Sequence, residues 1–268
     1  MPMLLKDKIA VVTGAGSGLG RGIAEAFAID EGAHVVVADC NETTGRATVA
    51  GIKAAGGQAL FIHCDTSVPA SVNALIAGVI ARFGRVDILV PNAGINFVKP
   101  TEQCTLEDWD RVHGLNLRGV FACILACLPH FLKQGSGNVV AIGSVHTRGS
   151  LAGAAPYTAA KQGVHGLVQS LAVEFGSRNL RFNCLSPGLC DTQIWKNIQD
   201  AAEDAEACRR HFQANIPAGR VGLPREIGAA AAFLASDKSA YTTGANLLVD
   251  GGMTSQIVSK ESYASKSV

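Results

Sequence analysis

The sequence predicts an α/β fold in which helices cover both faces of a doubly wound, seven-stranded and mostly parallel sheet. Short β-rich runs alternate with longer helical patterns, as they do when helices join parallel strands. The β-rich runs are almost continuously apolar, which is typical of strands buried on both faces. No internal repeat, low-complexity linker or change of composition divides the 268 residues. We therefore expect one domain over residues 1–255, followed by a C-terminal tail over residues 256–268.

The predicted elements follow one another in a regular order. Apolar residues at helical spacing, such as Ile23 and Phe27, mark the segments between the strands. Pro69 and Pro224 stand where a first helical turn accepts proline. Right-handed crossovers between parallel strands then produce the double winding. The predicted strands are residues 9–13, 34–38, 59–63, 87–91, 138–142, 181–185 and 245–249.

Charge and hydropathy narrow the class of protein. The 23 basic and 22 acidic side chains give a net charge of +1, which disfavours a nucleic-acid footprint or a polybasic membrane anchor. The longest uncharged apolar run lies between Arg118 and Lys133 and contains Pro129, whereas a membrane span needs about 20 apolar residues. The first apolar stretch is interrupted by charges at residues 6–8, unlike a secretory signal. We therefore expect a cytoplasmic protein.

The eight cysteines are scattered and form no C-x-x-C pair. Cys123 and Cys127 could share one helix face, but two thiols without a nearby histidine make a poor zinc site. We expect the cysteines to act as small buried hydrophobic residues in a reducing cytosol, and we expect no metal. They are Cys40, Cys64, Cys104, Cys123, Cys127, Cys184, Cys190 and Cys208.

A glycine-rich loop follows the first predicted strand. Gly14, Gly18 and Gly20 follow the spacing G-x-x-x-G-x-G, and a helix is predicted from near Arg21. Glycines let the backbone turn tightly and approach a pyrophosphate, and the N-terminus of the helix favours the anion. Because a strand precedes the loop and a helix follows it, a Rossmann-like dinucleotide site is favoured over a simple turn.

Asp39 stands 19 residues beyond Gly20, at the end of the second predicted strand. A carboxylate there can accept a hydrogen bond from a ribose 2′-OH and would repel a 2′-phosphate. Neither Cys40 nor Asn41 offers a cation to that phosphate. The pattern therefore favours NAD over NADP. The alternative is that Asp39 only caps the helix predicted from Glu42.

A serine, a tyrosine and a lysine follow the fifth predicted strand. Tyr157 and Lys161 are four residues apart on a predicted helix, so both point to the same side. We expect the ammonium to lower the pKa of Tyr157, which could then exchange a proton with an alcohol or carbonyl oxygen. Ser144, at the carboxyl end of its strand, could hold the same oxygen. The alternative for Lys161 alone is an ordinary surface lysine.

Taken together, these motifs resemble the short-chain dehydrogenase/reductase family over Lys6 to about Gly252. Pro91 departs from the family pattern, which often has an asparagine there, and this puts local hydrogen bonding in doubt rather than the chemistry. The matching pieces are residues 13–20, Asp65, residues 92–94, Asn116, Ser144, Tyr157, Lys161, residues 187–188, Thr192 and residues 250–252.

The resemblance implies roles for several of the matching residues. Asp65 would hold the adenine amino group, Asn92 would stabilise the sheet beside the cofactor, and Lys161 would also bind the nicotinamide ribose. Asn116 would hold a water that links Lys161 to solvent, and residues 187–192 would cover the nicotinamide amide. The implied catalytic residues are Asn116, Ser144, Tyr157 and Lys161. The expected cofactor residues are Gly14, Ser17, Gly18, Leu19, Gly20, Asp39, Asp65, Asn92, Ala93, Gly94, Tyr157, Lys161, Pro187, Gly188 and Thr192.

The expected function is hydride transfer between NAD(H) and a secondary alcohol or ketone. One alternative is a reductase of a less polar ketone or a 3-oxoacyl substrate. Another is a non-catalytic dinucleotide-binding module, since a fold does not fix a function. An epimerase or dehydratase is disfavoured. Those longer relatives carry a sizeable C-terminal substrate domain, whereas here we expect only a short tail after the seventh predicted strand, which ends near Val249.

Residues 189–217 form the longest segment outside the strand pattern and are expected to cover the substrate as a lid. Asn96, His146 and Gln193 would give a polar pocket, which favours a polyol or sugar substrate. The alternative for His146 is an ordinary loop histidine. The helices predicted over 106–131 and 157–175 carry few charges, and the family resemblance implies that they pair in a homo-tetramer or homo-dimer. The alternative is that each packs only on its own sheet.

Overall fold

The computed structural model describes residues 3–259, and within them one sheet contains seven strands. Its order is β3-β2-β1-β4-β5-β6-β7, and every neighbouring pair is parallel. The strands are β1 Ile9–Thr13, β2 His34–Asp39, β3 Gln58–His63, β4 Ile88–Val90, β5 Gly137–Ile142, β6 Leu180–Pro187 and β7 Asn246–Val249.

Helices connect the strands on both faces of the sheet. A π-helical turn, Ala26–Asp30, continues α1, and a second one, Gly114–Arg118, joins α4 to α5. The α-helices of residues 3–259 are α1 Gly18–Glu25, α2 Glu42–Ala54, α3 Pro69–Phe83, α4 Leu106–His113, α5 Gly119–Gln134, α6 Ala155–Phe175, α7 Gln193–Asp200, α8 Ala205–Ala214 and α9 Pro224–Ala235.

Two apolar layers hold the helices to the sheet. Residues of α3, α5 and α6 pack on one face, and residues of α1, α2 and α9 pack on the other. In β1, Val11 faces the first layer, whereas Ala10 and Val12 face the second. Both faces are buried, which explains why the strand sequences are continuously apolar rather than alternating.

The predicted fold is confirmed. All seven predicted strands are present and their ends differ from the prediction by at most two residues, because Pro91 lies just beyond β4 and β6 runs on to Pro187. Pro69 and Pro224 open α3 and α9 as expected. The single-domain boundary at residue 255 stays a prediction, and residues 260–268 of the predicted tail lie outside the described residues.

The helical run Leu106–Gln134 is long and apolar enough to cross a membrane by length and composition alone. Its residues Val120, Ile124 and Phe131 are buried against the sheet, which is the arrangement of a core helix. Cys123 and Cys127 are buried on the same face.

The prediction of buried cysteines holds for five of the eight, since Cys64, Cys184 and Cys190 are also buried. It is wrong for Cys40, which is exposed just beyond β2, and Cys104 and Cys208 are partly exposed.

The switch point of the strand order lies between the parallel neighbours β1 and β4. From β1 the chain passes to β2 and β3 on one side, and from β4 it passes to β5, β6 and β7 on the other. A crevice forms outside the carboxyl ends of the strands at such a switch point, and ligands of open α/β sheets bind there. The loops after β1, β4, β5 and β6 carry most of the residues predicted for the site.

Candidate active site

The glycine loop begins directly at the end of β1. Gly14 and Gly18 have φ angles of +62° and +52°, which side-chain-bearing residues rarely adopt. At Gly20 a Cβ would lie 2.2 Å from the Gly14 carbonyl oxygen, so only glycine fits. Helix α1 begins at Gly18 rather than near Arg21 as predicted, because Gly18, Leu19 and Gly20 already form its first turn.

The N-terminus of α1 has the properties of an anion site. The backbone of its N-cap residue, Ser17, is extended, and the Ser17 side chain makes no capping hydrogen bond with a described residue. No acidic side chain of residues 3–259 stands in the first turn. The first N–H groups of the helix are therefore available, and the loop fits the pyrophosphate of a dinucleotide.

Asn92 joins the end of β4 to the glycine loop. Its side-chain amide donates to the carbonyl oxygens of Thr13, at 2.9 Å, and Gly14, at 3.3 Å. The N–H groups of Asn92 and Ala93 both donate to the Thr13 hydroxyl, at 3.0 and 3.1 Å. Sequence reasoning gave Thr13 no role of its own, although its place before the first loop glycine was a usable signal.

Asp39 stands where the loop meets the end of β2. Its Oδ2 accepts a hydrogen bond from the Gly16 N–H and its Oδ1 accepts one from the Asn41 N–H, both at 2.8 Å. The N-cap of α2 is Asn41, whose side chain accepts from the Thr44 N–H, so the capping alternative for Asp39 is wrong. The sequence alone assigned no separate role to Gly16. A Cβ there would lie 2.9 Å from the Asp39 carboxylate, so this contact favours a glycine.

Asp65 follows β3 by two residues and is held by Ser67. Its Oδ1 accepts hydrogen bonds from the N–H of Ser67, at 2.9 Å, and from the Ser67 hydroxyl, at 2.7 Å. These two bonds lower the pKa of Asp65, so the side chain is a carboxylate at neutral pH. An ionised carboxylate accepts hydrogen bonds only, as an adenine amino group requires.

Asn116 is buried in the π-helical turn between α4 and α5. Its Oδ1 accepts from the N–H of Ile95 and its Nδ2 donates to the carbonyl of Ile95, both at 2.8 Å. The side chain therefore fixes the loop after β4. A Cβ at exposed Gly94 would lie 2.9 Å from Asn116 Oδ1. The predicted role of Asn116 in holding a water stays a prediction.

Lys161 lies inside the protein on α6. Its Nζ donates to the carbonyl oxygen of Ile142 at the end of β5, at 2.8 Å. Burial lowers the pKa of Lys161 to about 8. An ordinary surface lysine, the alternative reading of the sequence, is excluded because the side chain is only 5% exposed.

Tyr157 packs on a small apolar cluster of Phe97, Val112 and Ala160. Burial raises the pKa of the phenol above the usual 10.0 and outweighs the effect of the Ser144 side chain, which lowers it. The expectation that Lys161 lowers this pKa is therefore wrong for the protein by itself. The Lys161 ammonium is 5.8 Å from the centre of the ring, and desolvation dominates.

His146 lies beside Tyr157, as its place after Ser144 predicts. The two ring centres are 5.0 Å apart and the rings are nearly perpendicular. The N–H of His146 donates to Ser144 Oγ at 3.3 Å, and its Nδ1 is 2.7 Å from Thr158 Oγ1. Asn96 is exposed in the loop after β4. Gln193 is exposed on α7, where its amide donates to Asn197 rather than to these residues.

The segment after β6 reaches back to the glycine loop. A Cβ at Gly18 would lie 3.7 Å from the Thr192 side chain, and Thr192 is the N-cap residue of α7. Gly188 follows Pro187 at the end of β6, and its N–H donates to the carbonyl of Val249 in β7, at 3.0 Å. The predicted lid consists of α7 and α8, joined by the edge-to-face rings of Trp195 and Phe212.

Histidine, cysteine and carboxylate side chains do not gather into a metal-binding group of three or more anywhere in residues 3–259. The candidate site consists of the glycine loop, the three loops after β4, β5 and β6, and the start of α6.

Comparison with known proteins agrees with this geometry. The sequence model of one family, described as enoyl-(acyl carrier protein) reductase, matches residues 14–254. The chain is 42% identical over 252 residues to 3β-hydroxysteroid dehydrogenase 1 of Eggerthella lenta, covering 93% of this chain and 95% of the relative. It is 40% identical over 247 residues to the L-fucose dehydrogenase of Oryctolagus cuniculus, covering 91% and 84%.

Among solved structures, a short-chain type dehydrogenase/reductase from Mycobacterium marinum superposes with a TM-score of 0.87 at 30% identity. The match covers 94% of this chain and 97% of the other. Sequence, fold and the placing of the serine, tyrosine and lysine thus lead to one conclusion: the chain belongs to the short-chain dehydrogenase/reductase family, whose members are oxidoreductases that generally use a nicotinamide dinucleotide.

Proposed function

We propose that the protein transfers a hydride between NAD(H) and a secondary alcohol or ketone substrate. The observation that carries the proposal is that Tyr157 lies on α6 one helical turn from buried Lys161, whose Nζ donates to the Ile142 carbonyl at the carboxyl end of β5, the strand that Ser144 follows. A dinucleotide-binding module that does no chemistry has no need for this arrangement. The glycine loop supports dinucleotide binding at the same edge.

NAD is the cofactor that the chain's own residues favour. The amides of the glycine loop and of α1 would hold the pyrophosphate, and Asp39, oriented by Gly16 and Asn41, would accept hydrogen bonds from the adenosine ribose. Asp65 would meet the adenine, and Asn92 to Gly94 with Pro187 to Thr192 would line the nicotinamide end. When bound, NAD supplies or accepts the hydride.

The protein's part in the reaction is proton transfer and orientation. Tyr157 Oη would give its proton to a carbonyl oxygen or take one from an alcohol. Ser144 Oγ would hold the same oxygen. Lys161 Nζ, with one N–H on Ile142, has donors left that would hold the nicotinamide ribose.

A polar substrate, such as a polyol or sugar, is favoured by His146, which stands against Tyr157 with one ring nitrogen engaged by Thr158. The similarity to an L-fucose dehydrogenase supports this substrate class.

A less polar ketone is the second candidate substrate. Val98 and Leu151 are more than half exposed, and their loops meet where the N–H of Lys99 donates to the Gly153 carbonyl, at 2.9 Å. Such apolar side chains near the site suit a hydrophobic substrate body, and the similarity to a hydroxysteroid dehydrogenase agrees with this.

We also propose that copies of the chain associate with one another and that the protein is cytoplasmic. Phe121, Leu125 and Leu132 on α5 and Val173 on α6 are exposed apolar side chains, and Val173 is 88% exposed. Burying these side chains between copies of the chain would stabilise a homo-dimer or homo-tetramer.

The proposal is tested by following NADH formation with a panel of polyols, sugars, hydroxysteroids and simple secondary alcohols, each with NAD and with NADP. We expect turnover with at least one alcohol and a higher kcat/KM with NAD. The variant Tyr157→Phe serves as the control for adventitious activity. Binding of NAD without turnover of any alcohol, or of a ketone or 3-oxoacyl thioester in the reverse direction, would support the non-catalytic alternative and overturn the proposal.

A further inference from the structure

Three side chains next to Tyr157 form a hydrogen-bonded chain that the reaction described above does not use. His146 Nδ1 lies 2.7 Å from Thr158 Oγ1, and Thr158 Oγ1 lies 2.8 Å from Ser150 Oγ. Ser150 Oγ in turn donates to the carbonyl oxygen of Leu151, at 3.2 Å. Thr158 directly follows Tyr157 on α6, and Ser150 belongs to the loop after β5.

The protons of this chain can be counted, because each hydroxyl has a single proton to donate. Ser150 gives its proton to the Leu151 carbonyl, which can only accept. The bonds of this chain can all form together only when Thr158 gives its proton to Ser150. Thr158 Oγ1 must then accept from His146, so the proton of a neutral imidazole is on Nδ1 and the lone pair is on Nε2.

The surroundings of His146 favour the neutral ring. Burial and the positive charge of Lys161 both lower its pKa. Its backbone is fixed by two bonds: its N–H donates to Ser144 Oγ, and its carbonyl accepts from Gln162 Nε2, at 3.0 Å. Nε2 has no hydrogen-bond partner among residues 3–259, and it is not among their buried unsatisfied atoms. The His146 ring, whose centre is 5.0 Å from that of the Tyr157 ring, therefore carries an acceptor with no partner among the described residues.

We propose that Thr158 and Ser150 are positioning residues that hold His146 as a hydrogen-bond acceptor, so that the site selects alcohols with a second hydroxyl group close to the reacting carbon. This inference rests on the proposed function and narrows its substrate class. An Nε2 acceptor stabilises a hydroxyl, which can donate, and does not stabilise an ether or a hydrogen atom in the same place. The second hydroxyl belongs to the substrate and takes no part in the hydride or proton transfer.

The proton position is tested directly by neutron diffraction from crystals of the full-length protein exchanged into heavy water at neutral pH. We expect a deuteron on His146 Nδ1 and none on Nε2. A deuteron on Nε2 overturns the inference. This measurement needs no substrate, so its result stands whether or not the protein oxidises any alcohol.

The selectivity is tested with three matched substrates: a vicinal diol, its monomethyl ether, and the alcohol that lacks the second oxygen. For the native enzyme we expect kcat/KM for the diol to exceed both others by about tenfold, roughly the effect of one hydrogen bond. The variant Thr158→Val, which keeps the shape but loses the hydroxyl, should lose this preference, and Thr158→Ser should keep it.

The outcomes separate the two proposals. Equal use of the diol and its ether by the native enzyme, or an unchanged preference in Thr158→Val, overturns the inference while leaving alcohol oxidation intact. Failure to turn over any alcohol, ketone or 3-oxoacyl thioester overturns the proposed function, and the deuteron position then still decides the state of His146.

Discussion

The Lys161 ammonium lies 5.8 Å from the centre of the Tyr157 ring and donates to the Ile142 carbonyl rather than to the phenol. Both side chains are desolvated, and desolvation disfavours the charged form of each: it lowers the pKa of the lysine and raises that of the tyrosine. At neutral pH the buried Lys161 ammonium therefore lowers the free energy of unfolding, and this effect can be measured without any substrate.

The first prediction concerns the stability of the protein as pH rises. Burial lowers the pKa of Lys161 from 10.5 to about 8, so between these values the unfolded chain binds the proton that the folded chain has lost. The contribution of Lys161 to the free energy of unfolding should therefore rise by about 3 kcal/mol over this pH range. Urea unfolding of native protein and of Lys161→Met, at pH values below and above this range, measures it.

The variant lacks the titrating group, so the native protein should gain stability relative to Lys161→Met as pH rises. Lys133→Met, at an exposed lysine of α5, is the matched control and should follow the native curve. Parallel curves for the native protein and Lys161→Met would contradict the buried, easily deprotonated lysine.

The second prediction concerns proton transfer. Tyr157→Phe keeps the ring on its apolar cluster of Phe97, Val112 and Ala160 but removes the proton that is transferred. We expect kcat to fall about 10³-fold, within the range of a lost acid–base group, with little change in the Kd for NAD. Steady-state rates and NAD titration by fluorescence check it. Native turnover in this variant would remove Tyr157 from the proposed role.

The third prediction concerns the choice of cofactor. Replacing Asp39 by alanine and Cys40 by arginine removes the ribose acceptor and offers a cation to a 2′-phosphate. We expect the ratio of kcat/KM for NAD over NADP to fall about 10²-fold, as loss and gain of charged hydrogen bonds predict. Asp39→Asn separates loss of charge from loss of contact. An unchanged ratio in the double variant would refute the assignment of Asp39.

The fourth prediction concerns substrate binding. His146→Ala removes the imidazole that stands 5.0 Å from the Tyr157 ring. For a polar substrate we expect KM to rise about tenfold, as the loss of one hydrogen bond to the substrate implies. His165→Ala, further along α6, is the control variant. If KM for every substrate stays at its native value, His146 is an ordinary loop histidine.

The fifth prediction concerns self-association. Leu125 on α5 and Val173 on α6 are exposed apolar side chains. If copies of the chain pair through these helices, the double variant Leu125→Lys, Val173→Lys buries like charges without partners and should dissociate. Size-exclusion chromatography with light scattering gives the mass of each form. A monomeric native protein would instead support helices that pack only on their own sheet.

The fold was predictable because both faces of the sheet are covered. Val11 and Val12 in β1 pack into opposite layers, so the strand is apolar at every position and stands out from the amphipathic helices. Glycine spacing likewise identified the loop, since Gly14, Gly18 and Gly20 are dictated by backbone geometry and close contact.

The pKa of Tyr157 could not be predicted in the same way. The spacing of Tyr157 and Lys161 showed that they share a helix face, but it did not show that both are desolvated, and burial decides the sign of the shift. The role of Thr158 was also hidden, because its partners His146 and Ser150 come from a loop whose path depends on tertiary contacts. The spacing of a motif predicts which residues share a helix face, but it does not predict how deeply their side chains are buried or what surrounds them.

The segment between β6 and α9, the predicted lid, has its two ends joined by hydrogen bonds. Residue Cys190 pairs with Gly222, the N–H of Asp191 donates to the Gly222 carbonyl at 2.8 Å, and the Gly222 N–H donates to the Leu189 carbonyl at 2.9 Å. Residues 191–221 leave β6 and return beside it at one point, and between these ends the Ala218 N–H also donates to the Gly251 carbonyl oxygen, at 3.0 Å. A segment substituted from a relative would therefore have to match the two adjacent ends and the contact at Gly251, while β6, α9 and the proton-transfer residues stay as they are.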